Sequence, residues 1–170
     1  AGMVAGKGVG FQALHCLNEL IADALELVPD CLEYLERLKD PAIYRFCAIP
    51  QVMAIATLTE CFDNPNLFTG VVKIRKGLVA RLMCGTVEGP DAVFWWFAQM
   101  SKQIAATVES GACASAGGPI GDRVLAACKR IDERTQERAA ACQARSNQKM
   151  LLGSLALAAT VALAVKNPLK

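Results

Sequence analysis

Three cations fall within four positions at Lys73, Arg75 and Lys76, directly after a long apolar block, so that Asp40 to Gly77 pairs a greasy wall with a charged rim. Ammonium and guanidinium groups hold phosphates through charge-assisted and, for arginine, forked hydrogen bonds. An apolar wall beside such a rim suits an amphiphilic diphosphate. Within the block, Tyr44, Phe46, Cys47, Pro50 and Gln51 surround a proline placed inside a helical pattern. Proline removes one backbone hydrogen bond and bends its helix, which predicts a concave apolar surface carrying a single amide. The bland alternatives have the same composition. Three clustered cations also make a solvated face, and an aromatic and aliphatic stripe at helical spacing also makes a core.

The elements that must position these residues all read as helical. Phe11, Leu14, Leu17, Ile21, Leu25 and Val28 recur at three and four, and Leu32, Leu35 and Leu38 continue beyond Pro29, where a kink and a restart capped by Asp30 are expected. Asp40 followed by Pro41 is a strong helix start. The turn Asp63-Asn64-Pro65-Asn66 closes that helix near Cys61 and leads to the cations. Leu78 to Met83 reads as helix, Gly85 to Pro90 as a break, and Asp91 to Val108 as a helix whose Phe94, Trp95, Trp96 and Phe97 cover too many sides for one face to bury them all. The expected organisation is a flexible lead-in over 1–10, a helical domain over 11–108, a small-residue linker over 109–121, and a polar, solvated helix over 122–149. An apolar segment over 150–165 and a tail over 166–170 follow. That segment, Met150 to Val165, carries no charge and lies between Lys149 and Lys166. As a helix it would extend about 24 Å against a hydrocarbon core of roughly 30 Å, short but workable with snorkelling lysines, so a membrane anchor is expected there.

Composition narrows the function classes. At 170 residues with 54% hydrophobic residues and a mean hydropathy of +0.31, the chain is greasy for one soluble domain, while a net charge of +2 gives no reason to expect nucleic acid. The eight cysteines form no C-x-x-C pair and have no histidine at zinc-ligand spacing, so free thiols in a reducing compartment are expected. The N-terminal glycines fit neither a P-loop nor a dinucleotide fingerprint, because Lys7 is followed by Gly8 and no strand precedes Gly6.

The blocks FCAIPQVMAIATL and VVKIRKG, with CLNELIADAL ahead of them, resemble squalene synthase (farnesyl-diphosphate farnesyltransferase), in the C-terminal part of that family's chain. The resemblance implies an all-α isoprenoid-synthase bundle that joins two farnesyl diphosphates through presqualene diphosphate and reduces the product to squalene with NADPH. It implies that Phe46, assisted by Tyr44, is a wall that stabilises carbocations, that Cys47, Pro50 and Gln51 line the substrate groove, and that Lys73 and Arg75 contact NADPH phosphates. It also implies a monomer anchored in the endoplasmic reticulum membrane with its catalytic part facing the cytosol. The family's Mg²⁺ is held by two D-x-x-E-D motifs. Neither is present here, since Asp30 and Glu33 have the spacing but are followed by Tyr34, and the ligands are expected in a missing N-terminal half. A fragment inactive alone is therefore expected. A related prenyl synthase, of botryococcene or phytoene type, and a non-catalytic membrane-anchored helical protein remain as alternatives.

Overall fold

The structure, a computed structural model, describes the backbone of residues 2–111 and 117–166 and the side chains of residues 10–111, 117–152 and 154. Among the described residues six α-helices follow one another: α1 (Gly2–Glu26), α2 (Val28–Arg37), α3 (Pro41–Cys61), α4 (Lys76–Glu88), α5 (Pro90–Glu109) and α6 (Pro119–Lys166), with a 3₁₀ turn at Pro65–Phe68 between α3 and α4. Among the described residues there is no strand. The chain divides into two units, residues 1–135 and residues 136–170.

In the first unit α3 is the central element and packs against α2, α4 and α5. Its buried residues Tyr44, Ala48, Val52, Ile55 and Ala56 recur at four, four, three and one, a single stripe down one side. Two small residues in that stripe let neighbouring backbones approach, while Val52 and Ile55 fill the gap between them. Each large aliphatic side chain buried in this way contributes about 1.5 to 3 kcal/mol. The opposing residues are Leu25, Leu32 and Leu35 from α1 and α2, Leu82 from α4, and Val93, Phe97 and Ile104 from α5, all at or near zero exposure. The start of α3 is fixed as its sequence indicates. The Asp40 carboxylate accepts from the backbone N–H groups of Ala42 at 2.8 Å and Ile43 at 3.0 Å, with Pro41 in the first turn.

Several boundaries differ from the sequence reading, each for a physical reason. The glycines taken as a flexible lead-in are helical, and α1 begins at Gly2. The break near Pro29 falls two residues earlier: α2 starts at Val28 with Pro29 in its first turn, where a proline costs nothing, and Asp30 lies in that turn without being the cap. Gly85 belongs to the interior of α4, and the real break is Gly89 at φ 116, a left-handed conformation that suits glycine. The helix read as solvated from Asp122 begins at Pro119, and its first turns are core. Ile120, Val124, Ala127, Cys128 and Ile131 are all buried, and Arg123 forms ion pairs with Asp23 at 2.6 Å and Glu26 at 2.9 Å. Arg134 pairs with Glu36 at 2.6 Å. Two of the charges that made this segment look polar all round, Arg123 and Arg134, thus pair with α1 and α2.

The second unit is the remainder of α6, and its described side chains from Ala139 to Leu152 are exposed. The backbone is helical through Lys166, while most side chains of the expected anchor at 150–165 lie outside the described residues. Residues 112–116 of the expected linker also lie outside them. Among the described residues, α3 is the one helix long and apolar enough to cross a membrane by length and composition.

Candidate functional site

Tyr44 and Phe46 are separated by two residues on a helix, which turns them about 200° apart. Tyr44 is accordingly 5% exposed in the core, while Phe46 is 80% exposed on the far side of α3. The expected pair is thus divided: Tyr44 supports the bundle from within, and only Phe46 faces outward. Cys47, Pro50, Gln51 and Ala54 follow at three, one and three, forming a second stripe beside Phe46 and away from the buried one. With Tyr34 of α2 they line an open groove of about 390 Å³. The predicted concave surface therefore exists, with Tyr34 in the place given to Tyr44. Sequence reasoning missed Tyr34 because only the packing of α2 on α3 brings it there. Its hydroxyl lies 3.8 Å from the Cys47 sulfur, and that contact raises the phenol above its ordinary pKa.

Pro50 lies inside α3 without ending it. It has no N–H, so the Phe46 carbonyl loses the donor that would normally close its turn. The freed carbonyl belongs to the most exposed aromatic residue of the groove.

The cations occupy a different kind of backbone. Val71 to Arg75 belongs to no helix or strand, Arg75 has an extended backbone at φ −65 and ψ 138, and α4 begins at Lys76. Along this segment Val72 and Ile74 are partly covered while Lys73 and Arg75 are exposed, the alternation expected where successive side chains point to opposite sides. Ile74 packs on the core and holds the segment down. Lys73 and Arg75 are both exposed immediately ahead of the N-terminus of α4, whose first-turn N–H groups favour an anion. Arg75, Gly77, Leu78, Arg81 and Glu60 line a second depression, of about 630 Å³; Lys73 is not part of its wall.

The approach to this segment is fixed by a contact not anticipated from the sequence. Asn18 of α1 is fully buried. Its amide nitrogen donates to Asp63 Oδ1 at 3.1 Å, and its amide oxygen accepts from the Asp63 N–H at 2.9 Å. Asp63 adopts φ 50, the one left-handed non-glycine among the described residues. Asn64 then caps the 3₁₀ turn by accepting from the Asn66 N–H at 3.1 Å, and its own amide donates to the Glu60 carbonyl at 2.8 Å. A lone buried asparagine within an apolar helical stripe is the signal that would have identified Asn18.

Comparison with known proteins gives this geometry a context. The squalene synthase of Solanum lycopersicum is 50% identical over 93 residues, which are 54% of this chain and 23% of that protein. The squalene synthase of Nicotiana benthamiana is 56% identical over the same length, and squalene synthase 1 of Arabidopsis thaliana 46%. Over that stretch this chain is similar to the squalene synthases. Among solved structures, that of TcSQS with the ligand BPH1237 matches at a TM-score of 0.67 and 32% identity, covering 75% of this chain and 36% of the other. A second TcSQS structure, with E5700, matches at 0.66. The all-α fold of this chain matches that of the isoprenoid synthases. The chain spans about a quarter of the length of the curated squalene synthases it matches. No family model matches the chain.

Proposed function

We propose that this chain is the pocket-forming and cofactor-holding part of a squalene synthase, an enzyme that condenses two farnesyl diphosphates head to head through presqualene diphosphate and reduces the product to squalene with NADPH. The observation that carries the reading is the pair of exposed cations, Lys73 and Arg75, two residues apart in the segment just ahead of α4. A lysine and an arginine so placed fit the phosphates of NADPH, with no glycine-rich turn required. NADPH, when bound, supplies the hydride.

The chain's own residues then have separate tasks. Phe46 offers an aromatic face that lowers the energy of a passing carbocation without a nucleophile to trap it. Pro50 and Gln51 shape the groove beside it, and Cys47 is held by Tyr34. Tyr44 acts only through its packing. The acids that hold Mg²⁺ are assigned to the remainder of the protein, because among the described residues no group of three His, Cys, Asp or Glu side chains is arranged to hold a metal ion. On this reading the chain alone does not ionise its substrates. Residues 150–165 anchor the protein in the endoplasmic reticulum membrane with the first unit on the cytosolic side.

The test uses the full-length enzyme. Replacing Lys73 and Arg75 with alanine removes charge-assisted hydrogen bonds of about 1.5 to 3 kcal/mol each, so the KM for NADPH rises at least about tenfold. The first condensation needs no nicotinamide, so presqualene diphosphate accumulates at limiting NADPH and excess NADPH partly restores squalene. Equal loss of both half-reactions with no response to NADPH would overturn the assignment.

A further inference from the structure

The depression that begins at Arg75 does not end with the cations. Arg81 is a wall both of that depression and of a second, of about 500 Å³, that continues between α4 and α5 to Trp95 and Trp96. One surface thus runs from the cationic segment along α4 to a pair of indoles.

The indoles occupy a constructed seat. A Cβ at Gly85 would lie 2.7 Å from Trp96 Nε1 and 2.9 Å from its Cδ1, so the indole rests against α4 only because residue 85 has no side chain. The Arg81 guanidinium carbon sits 6.0 Å from the centre of the Trp96 ring. Trp95 meets Trp96 edge to face at 4.8 Å and 77°, and is 54% exposed. Trp96 is therefore a brace, and Trp95 presents an aromatic surface to whatever enters the groove. Along α4, Arg81 lies about 9 Å beyond Arg75, and Glu88 about 10.5 Å beyond Arg81, at roughly 1.5 Å per residue. The order along the groove is thus cation, cation, indole with a carboxylate at the far end.

We propose that this groove seats the adenosine 2′-phosphate end of NADPH, with Arg81 on the 2′-phosphate and Trp95 stacked on the adenine. The inference rests on the reading of Lys73 and Arg75 as ligands of the cofactor's other phosphates. A guanidinium beside an exposed indole matches a phosphorylated nucleoside, whose charge and π-face are adjacent. Glu88 is an acceptor available to the exocyclic amine of the base. A purely apolar occupant, such as an acyl chain, has no use for a groove flanked by Arg81 and Glu88. Arg81 thereby becomes the residue that distinguishes NADPH from NADH.

The chain's two tryptophans are both in this groove, so indole emission reports on it alone. The 170-residue chain in detergent is titrated with 2′,5′-ADP and with 5′-AMP. The expected result is saturable quenching by 2′,5′-ADP at about tenfold higher affinity than by 5′-AMP. Arg81→Gln removes that difference, Trp95→Leu weakens both nucleotides alike, and Trp95→Phe restores binding, read by competition against labelled 2′,5′-ADP. Absence of saturable quenching, equal affinity for the two nucleotides in the unmodified chain, or indifference to Arg81→Gln overturns the proposal, as does displacement by a fatty alcohol in place of nucleotide binding. NADPH binding, followed by nicotinamide fluorescence, separates the two readings. If Lys73→Ala/Arg75→Ala weakens it and neither Arg81→Gln nor Trp95→Leu does, the cation reading stands and this one falls. If the reverse holds, the adenosine seat stands and the cation reading falls. If nothing changes, both fall.

Discussion

Asn18 and Asp63 are 45 residues apart and exchange two hydrogen bonds inside the first unit. Asn18→Ala removes both of these hydrogen bonds and is expected to destabilise the chain by about 1 to 3 kcal/mol in chemical denaturation. Asn18→Asp, which keeps the acceptor but sets two carboxylates together, should be no better at neutral pH. A thermal midpoint unchanged in Asn18→Ala would show that the turn holds itself. Cys128 gives a pH-dependent counterpart. Burial is the main cause that pushes its thiol up to about 11, from the ordinary 9.0. The unfolded thiol ionises first, so the folded state holds the extra proton between those values. The contribution to stability is complete below about pH 9 and declines as pH rises toward 11, and Cys128→Ser or Cys128→Ala should flatten that decline in urea melts taken across the range. The residues of the groove were legible to the extent that helical spacing determined them. Phe46, Cys47, Pro50 and Gln51 follow from one helix, whereas Tyr34 and Asn18 act through contacts between helices that no local pattern displays, and Tyr44 was misplaced by an adjacency in sequence that helical rotation undoes.

At the scale of elements, α4 and α6 were the least legible, for opposite reasons. Gly85 carries a turn signal in sequence, yet its function is to make room for Trp96, a need that arises only once α5 packs on α4. Gly85→Ala is expected to displace the indole and cost about 1 to 3 kcal/mol despite alanine's better helix propensity, with a shift in tryptophan emission as the direct readout. In α6 the apolar positions 120, 124, 127, 128 and 131 do recur at helical spacing, but dense charge obscured them, and two of those charges, Arg123 and Arg134, meet partners on α1 and α2 that local sequence does not show. Ile131→Ala should cost about 2 to 5 kcal/mol, as a core deletion does, whereas Lys129→Ala, on the exposed side, should change stability by less than about 0.5 kcal/mol. Equal and small effects would return this segment to the solvated helix of the sequence reading. The starts of α3 and of the 3₁₀ turn, by contrast, were legible because Asp40-Pro41 and Asn64-Pro65 encode their caps locally.

At the scale of the molecule, the first unit carries apolar side chains with no cover within it. Phe11 is 48% exposed, Ile43 54%, Phe46 80% and Val71 87%. Scattered singly these would be ordinary, but Ile43 and Phe46 are one turn apart on α3 and adjoin the groove. Residues 1–135 expressed alone are therefore expected to bind a hydrophobic dye and to associate. A cooperative monomeric melt with no dye binding would show that this face tolerates water. For the intact protein, deleting residues after Lys149 should release it from membranes with the groove unaltered, and continued sedimentation with membranes at high salt would exclude residues 150–165 as the anchor.

The ion pairs of Arg123 also set a timetable. Its partners lie 97 and 100 residues earlier in the chain, at Glu26 and Asp23. A ribosome adding about 5 to 20 residues per second takes on the order of 5 to 20 s to make that interval. For that time α1 is finished and can pack on α2 and the 3₁₀ turn, but Asp23 and Glu26 wait for Arg123. The last pairing of α1 is consequently a late event in synthesis, and the apolar segment at 150–165, in the same helix as Arg123, leaves the ribosome soon after it.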